Sequence, residues 1–253
     1  MRPHTLFLFL LLILLFAQCK RQVEPSGYYC VINEYIKPSH IFYYNDKIHY
    51  SHNFIVYETE KARADSIMSV FLEKDMLSAF FDGNTSIDTL RFTNIYQFTR
   101  VLQYHFVFTP SECKFYVYKP DQLVGTYEFV PTRTEQELIS FAVSQLDFGD
   151  TLPEFNSFEK LPNNVIIEDA YFSLLIKSDR INVDLVAHLY ADQVPDAVYF
   201  LSDALDALVY DYCNPKHQTM EPIDKDVMES FDEKIYEKYI PPPPSIDDLA
   251  TVK

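Results

Sequence analysis

Three times along this chain a pair of aromatic, β-branched runs separated by a turn gives way to a helical pattern, and this order limits the fold more than any other feature. The first unit is Tyr28 to Tyr35, then Ile41 to Tyr44 and Lys47 to Tyr50 around Asn45-Asp46, a dipeptide suited to a tight hairpin. A helix is predicted over 58–80. Ala64, Ile67, Met68, Phe71 and Leu72 share one face, and Asp82-Gly83-Asn84 supplies the stop.

The second unit places runs 114–118 and 126–130 around Lys119-Pro120-Asp121-Gln122, where Pro followed by Asp is turn chemistry. Thr134 and Glu137 read as a capping box opening a helix that runs to about Gln145, with Leu138, Phe141 and Ala142 inward. The third unit is Tyr171 to Lys177, a turn at Ser178-Asp179-Arg180, and Ile181 to Tyr190. Here Ile181, Val183, Leu185, Ala187 and Leu189 alternate with Asn182, Asp184, Val186, His188 and Tyr190, giving one apolar and one mostly polar sheet face. Pro195 then opens a helix with Val198, Leu201, Leu205, Leu208 and Tyr212 inward and Asp203, Asp206 and Asp211 on its solvated side.

Between the first two units, 85–109 reads as strand, short helix and strand, with Asn94 as the cap of that helix. A last helix is predicted over 225–239, before the prolines Pro241 to Pro244. The turn centres near 45, 121 and 179 are unequally spaced, so the three units are no sequence repeat. The expected class is α+β: antiparallel sheet built from hairpins, with helices packed on one face. A hydrophobic content of 48% is enough for a real core.

The amino-terminal residues say where such a domain would work. Arg2 is followed by an unbroken apolar run, Leu6 to Ala17. A membrane-spanning helix needs about 20 apolar residues, so the run is short for a span and has the layout of a secretory signal. Phe16-Ala17-Gln18-Cys19 resembles the lipobox of bacterial lipoprotein precursors, with Phe16 where Leu, and Gln18 where Gly or Ala, is usual. The resemblance covers residues 1–19 only. It implies cleavage before Cys19, lipid on the Cys19 sulfur, and retention at a bacterial membrane. Lys20 in place of Asp after the Cys implies the outer membrane where one is present. Cleavage after Ala17 would instead release a soluble protein, and an uncleaved run would itself be the anchor. The expected organisation is a signal peptide over 1–18, a lipid-anchored tether over 19–26, an α+β domain over 27–240 with a candidate subdivision near 149–164, and a Pro-rich disordered tail over 241–253.

Composition excludes several classes. Lys and Arg total 21 against 37 Asp and Glu, a formal net charge of −16, which opposes nucleic acid and anionic headgroups. The only four glycines (Gly27, Gly83, Gly125, Gly149) are isolated, so phosphate-cradling glycine loops are absent. With Cys19 lipidated, Cys30, Cys113 and Cys213 remain, an odd set with no CxxC spacing, open to one disulfide or none and read as small buried side chains.

No motif assigns a catalytic residue. His49 and His52 are the closest histidine pair, but three apart on a strand they face opposite ways, and no metal site is assigned. Asp184 and His188 share a strand face about 13 Å apart, too far to bond directly. With Asn182, Tyr190, Ser173 and Lys177 they could line a polar cleft. The leading expectation is a non-enzymatic envelope lipoprotein without cofactor, binding a protein partner in the envelope. A tethered hydrolase or small-ligand binder, with its site on the polar sheet face, is the alternative.

Overall fold

The computed structural model describes residues 24–32, 38–52, 55–59, 61–81, 85–96, 103–119, 122–149, 170–188, 194–213 and 218–219. The candidate leader and lipobox, the 149–164 boundary beyond Gly149, the 225–239 helix and the proline tail lie outside them. The described residues form an α+β structure with two antiparallel sheets, as the hairpin–helix order implies.

The smaller sheet takes its strands from the first third of the chain. They are β1 (Gly27–Ile32), β2 (Ser39–Tyr44), β3 (Lys47–His52), β4 (Ile55–Thr59) and the two-residue β5 (Ser78–Ala79), in the order β4-β3-β2-β1-β5. Tyr44 pairs with Lys47 across the predicted turn. Asn45 and Asp46 both take positive φ, 51° and 62°, the two left-handed residues that a tight hairpin matched to strand twist requires.

Strand β4 departs from the sequence expectation, which ran a helix from 58. Helix α1 (Lys61–Glu73) is shorter at both ends. It stops where Asp75 turns to φ 53°, with Asp75 N–H donating to the Leu72 carbonyl and Met76 N–H to that of Phe71. This is a left-handed C-terminal cap made without glycine, so Leu77 to Phe80 leave the helix and Ser78-Ala79 add to the edge of β1.

The larger sheet has the order β11-β10-β6-β7-β8-β9-β12. Its strands are β6 (Ile87–Tyr96), β7 (Gln103–Thr109), β8 (Glu112–Lys119), β9 (Gln122–Phe129), β10 (Ala170–Ser178), β11 (Asn182–His188) and the short β12 (Gln218–Thr219). Asn94 caps no helix: it lies in β6, paired with Tyr104 on one side and Phe172 on the other. The alternation read in the third hairpin holds, with Val183, Leu185 and Ala187 buried and Asn182 and Asp184 exposed.

Helix α2 (Arg133–Ser144) opens two residues before the expected point. Its capping box is Thr132 with Glu135: the Glu135 N–H donates to Thr132 Oγ1 at 3.3 Å, and the Thr132 N–H to Glu135 Oε2 at 2.7 Å. Helix α3 (Asp196–Tyr212) has Pro195 as its N-cap. One cluster of buried apolar residues joins α2 and α3 to the inner faces of both sheets, from Phe42 and Tyr44 to Phe92, Phe115 and Leu174. The two helices are therefore a filling between sheets. The larger sheet has helices on its core face. The smaller sheet also carries α1 on its other face, where Ala64 and Met68 close over Ile48.

Candidate functional site

The densest set of buried polar side chains runs along α3. Its buried residues include Val198 through Leu205 without a break, then Ala207, Leu208 and Val209. A helix apolar around its whole circumference belongs in a core, and a core helix must find a partner for every polar group it carries. Asp203, Asp206 and Asp211 were expected on a solvated side; that is overturned for Asp203, which is buried, while Asp206 and Asp211 are half-buried. The Asp203 carboxylate meets His40 Nδ1 at 2.6 Å, with the two side chains only 3% and 1% exposed. Tyr104 in β7 donates its hydroxyl to Asp206 at 2.5 Å. Asp211 accepts from the Tyr44 hydroxyl and from Lys47 Nζ, each at 3.0 Å. Asp203 and Asp211 thus hold α3 to the smaller sheet and Asp206 holds it to the larger.

At the C-terminal end of α3, Tyr212 stacks on Phe129 with ring centroids 3.7 Å apart and donates its hydroxyl to Glu135 at 2.7 Å. Glu135 is buried. Its carboxylate also accepts the Thr132 N–H and, at 3.4 Å, the Asn45 amide, while Thr134 donates to Asn45 Oδ1 at 2.7 Å. Burial together with the Asp211 carboxylate holds the Tyr44 phenol well above its ordinary value. Burial and the bond to Glu135 raise Tyr212 in the same way. Burial likewise raises the Cys113 thiol, with Glu135 adding to the shift.

The backbone of β2 continues the network. The His40 N–H donates to Ser51 Oγ at 2.9 Å. The His40 ring lies against Phe200, and His49 stacks against both Phe42 and Tyr44. His49 therefore faces the core; the side chain of His52 lies outside the described residues. Among the described residues, no three His, Cys, Asp or Glu side chains gather as a metal-ligand set.

The polar face of the larger sheet is the second candidate. Strand register sets Val186, Ser173, Thr93, His105, Tyr116 and Thr126 in one row across six strands. Thr93, His105 and Thr126 are buried there. Thr93 Oγ1 and His105 Nδ1 are 2.7 Å apart, and the His105 ring stacks on Tyr116. Burial, with the Arg91 guanidinium nearby, pulls the His105 imidazole down to about 4.

His188 is buried, while Asn182, Asp184 and Lys177 are exposed. Register sets Asp184 opposite Leu175 and His188 opposite Tyr171, so the strand keeps the two apart and does not gather them into a cleft. Tyr190 lies outside the described residues. His105 and Thr93 were not singled out in the sequence. The signal for them was the polar run Thr89, Arg91 and Thr93 at every second position of β6, with His105 alone between the aromatics Tyr104 and Phe106 of β7.

Cys30, Cys113 and Cys213 are all free thiols; the first two are buried as read, while Cys213 is half-buried and departs from that reading. Comparisons with protein-family models, with curated proteins and with solved structures find no match to this chain.

Proposed function

We propose that this chain is a lipid-anchored protein of the bacterial cell envelope, held by Cys19, whose α+β domain binds another envelope or secreted protein and carries out no chemistry of its own. The observation that supports a binding module is where the titratable groups are spent. His40, Asp203, Asp206, Asp211 and Glu135 each hold one element to another through hydrogen bonds of 2.5–3.4 Å. A general acid or base must reach a substrate proton, whereas these groups face neighbouring elements of their own fold. The support for the anchor is the apolar run closing on Ala17-Gln18-Cys19. Where the cell has an outer membrane, Lys20 directs the proposal there, since Asp is the inner-membrane residue of the resembled class. Acidic composition argues for a protein partner and against nucleic acid.

The anchor is tested by labelled palmitate. Incorporation into the wild-type chain, lost in Cys19→Ala together with release from the membrane fraction, is the expected result. A Cys19→Ala protein that stays with the membrane would overturn it and make the apolar run itself the anchor. The binding role is tested by crosslinking the displayed domain in intact cells. A discrete adduct with one envelope protein is expected, and turnover of a small substrate by the purified domain would contradict it.

A further inference from the structure

Several elements meet at one pole of the molecule. Gly27, the first residue of β1, pairs with Tyr44 at the β2–β3 turn. The Phe80 N–H donates to the Gly27 carbonyl at 3.1 Å, and the Phe80 ring fills the space a side chain at Gly27 would need. Asn45 of the same turn bonds Thr134 and Glu135 at the start of α2. Tyr44 and Lys47 bond Asp211, and Tyr212 stacks on Phe129, which brings in the end of α3 and the end of β9.

This pole also carries the two most exposed large apolar side chains among the described residues: Val130, directly after β9, at 75%, and Tyr210, in the last turn of α3, at 68%. Phe81, next to Phe80, is exposed there as well. The chain enters the fold here too, with Glu24 described and Cys19 five residues before it. Five residues fully extended span no more than about 18 Å. Gly27, where the chain joins this pole, is eight residues from Cys19, a span of no more than about 28 Å, so a lipid on Cys19 keeps this pole near a bilayer.

From these observations we infer that the pole formed by Val130, Tyr210 and Phe81 rests in the membrane interface that holds the anchor, an inference that depends on Cys19 being lipidated. An apolar Val and Phe beside a Tyr, whose ring is amphipathic, suit the headgroup level. The charges at the pole are mixed: Asp46, Lys47, Arg133, Glu137 and Asp211, with Lys47 paired to Asp211 and Arg133 to Glu137. Among these residues of the pole no surplus cation is left for anionic headgroups, so the pole's own contact is apolar and insensitive to salt; Lys20 and Arg21 lie in the tether beside Cys19. Short reach and shallow insertion together fix the orientation. The opposite end, where Leu72 near the end of α1 is 54% exposed, points away from the membrane.

The chain contains no Trp, so a single introduced indole reports its own surroundings. Tyr210→Trp, Val130→Trp and Leu72→Trp are expressed as full chains with the leader, purified with their lipid, and placed in vesicles of brominated phosphatidylcholine. Bromine should quench and membrane contact should blue-shift the emission of Tyr210→Trp and Val130→Trp, at low and high salt alike, while Leu72→Trp keeps its emission. Far-UV circular dichroism checks that each variant is folded. Equal quenching at all three positions, or none, overturns the inference. A blue shift without bromine quenching assigns the pole to a second copy of the chain and overturns it too. Palmitate incorporation is measured on the same preparations. If it is present while quenching fails, the orientation is wrong and the anchor stands. If it is absent, both fall.

Discussion

His105 is the residue whose environment makes the sharpest demand on solution conditions. Its imidazole is buried on the polar face of the larger sheet, and burial with the Arg91 charge lowers it from 6.5 to about 4. The unfolded chain therefore takes up this proton first as pH falls. The stability that follows is complete above pH 6.5 and is lost as pH drops from 6.5 toward 4, by about 3 kcal/mol at the lower end. Urea unfolding midpoints at half-unit steps between pH 7 and 4 should fall across that window. In His105→Asn the fall should be shallower by at most one proton's worth, about 1.4 kcal/mol per pH unit, even though the variant starts from lower stability at pH 7. An unchanged slope would mean that His105 takes up its proton as readily in the fold as in the unfolded chain.

Helix α3 was legible as a helix and illegible as a place. Its heptad-like row, Val198, Leu201, Leu205 and Leu208, suggested a surface helix with a dry side and a wet side. The apolar residues off that row, Tyr199, Phe200, Ala204, Ala207 and Val209, were the sign of full burial. The partners of its acids could not be read, because His40, Tyr104 and Tyr44 lie 163, 102 and 167 positions away from the residues they bond.

The start of α2 failed for a different reason. Thr132-x-x-Glu135 and Thr134-x-x-Glu137 overlap, so spacing alone could not choose the cap. The hairpins succeeded because their information is local: two residues able to take positive φ, and a period of two. The early end of α1 and the short strand β5 depended on Asp75 adopting a conformation usually left to glycine. The burial of the α3 acids predicts an order of effects. Asp203→Ala strands a buried imidazole and should cost about 2–4 kcal/mol. Asp206→Ala, at a half-buried tyrosine contact, should cost about 1 kcal/mol. Urea denaturation of both variants at pH 7 measures this, and equal effects would remove His40–Asp203 from its place as the main fastening.

Across the whole molecule the two sheets share one interior. Phe42 and Tyr44 from the smaller sheet belong to the same buried cluster as Phe92, Phe115 and Phe172 from the larger, and Phe200 of α3 touches Phe42, Tyr29 and Phe141. Neither sheet can lose its packing without opening the other, so unfolding should be a single cooperative event. The expected outcome is coincidence of three probes along one denaturant curve: far-UV circular dichroism, tyrosine near-UV circular dichroism, and alkylation of Cys30 and Cys113. Both thiols are buried and raised in pKa by that burial, so they should stay unreactive until that transition. An early step in which Cys30 reacts while Cys113 stays protected would show the smaller sheet parting from the larger.

The central position of α3 also has a consequence in time. The helix that both sheets close upon is encoded after every strand of the smaller sheet and after β6 to β11. A chain delivered amino end first, from a ribosome or through a translocation pore, presents two sets of hairpins whose inner faces have only α2 to cover them until residues 196–212 arrive. Until then those faces are the surface through which nascent copies would stick to one another. The last quarter of the chain is the keystone that closes them.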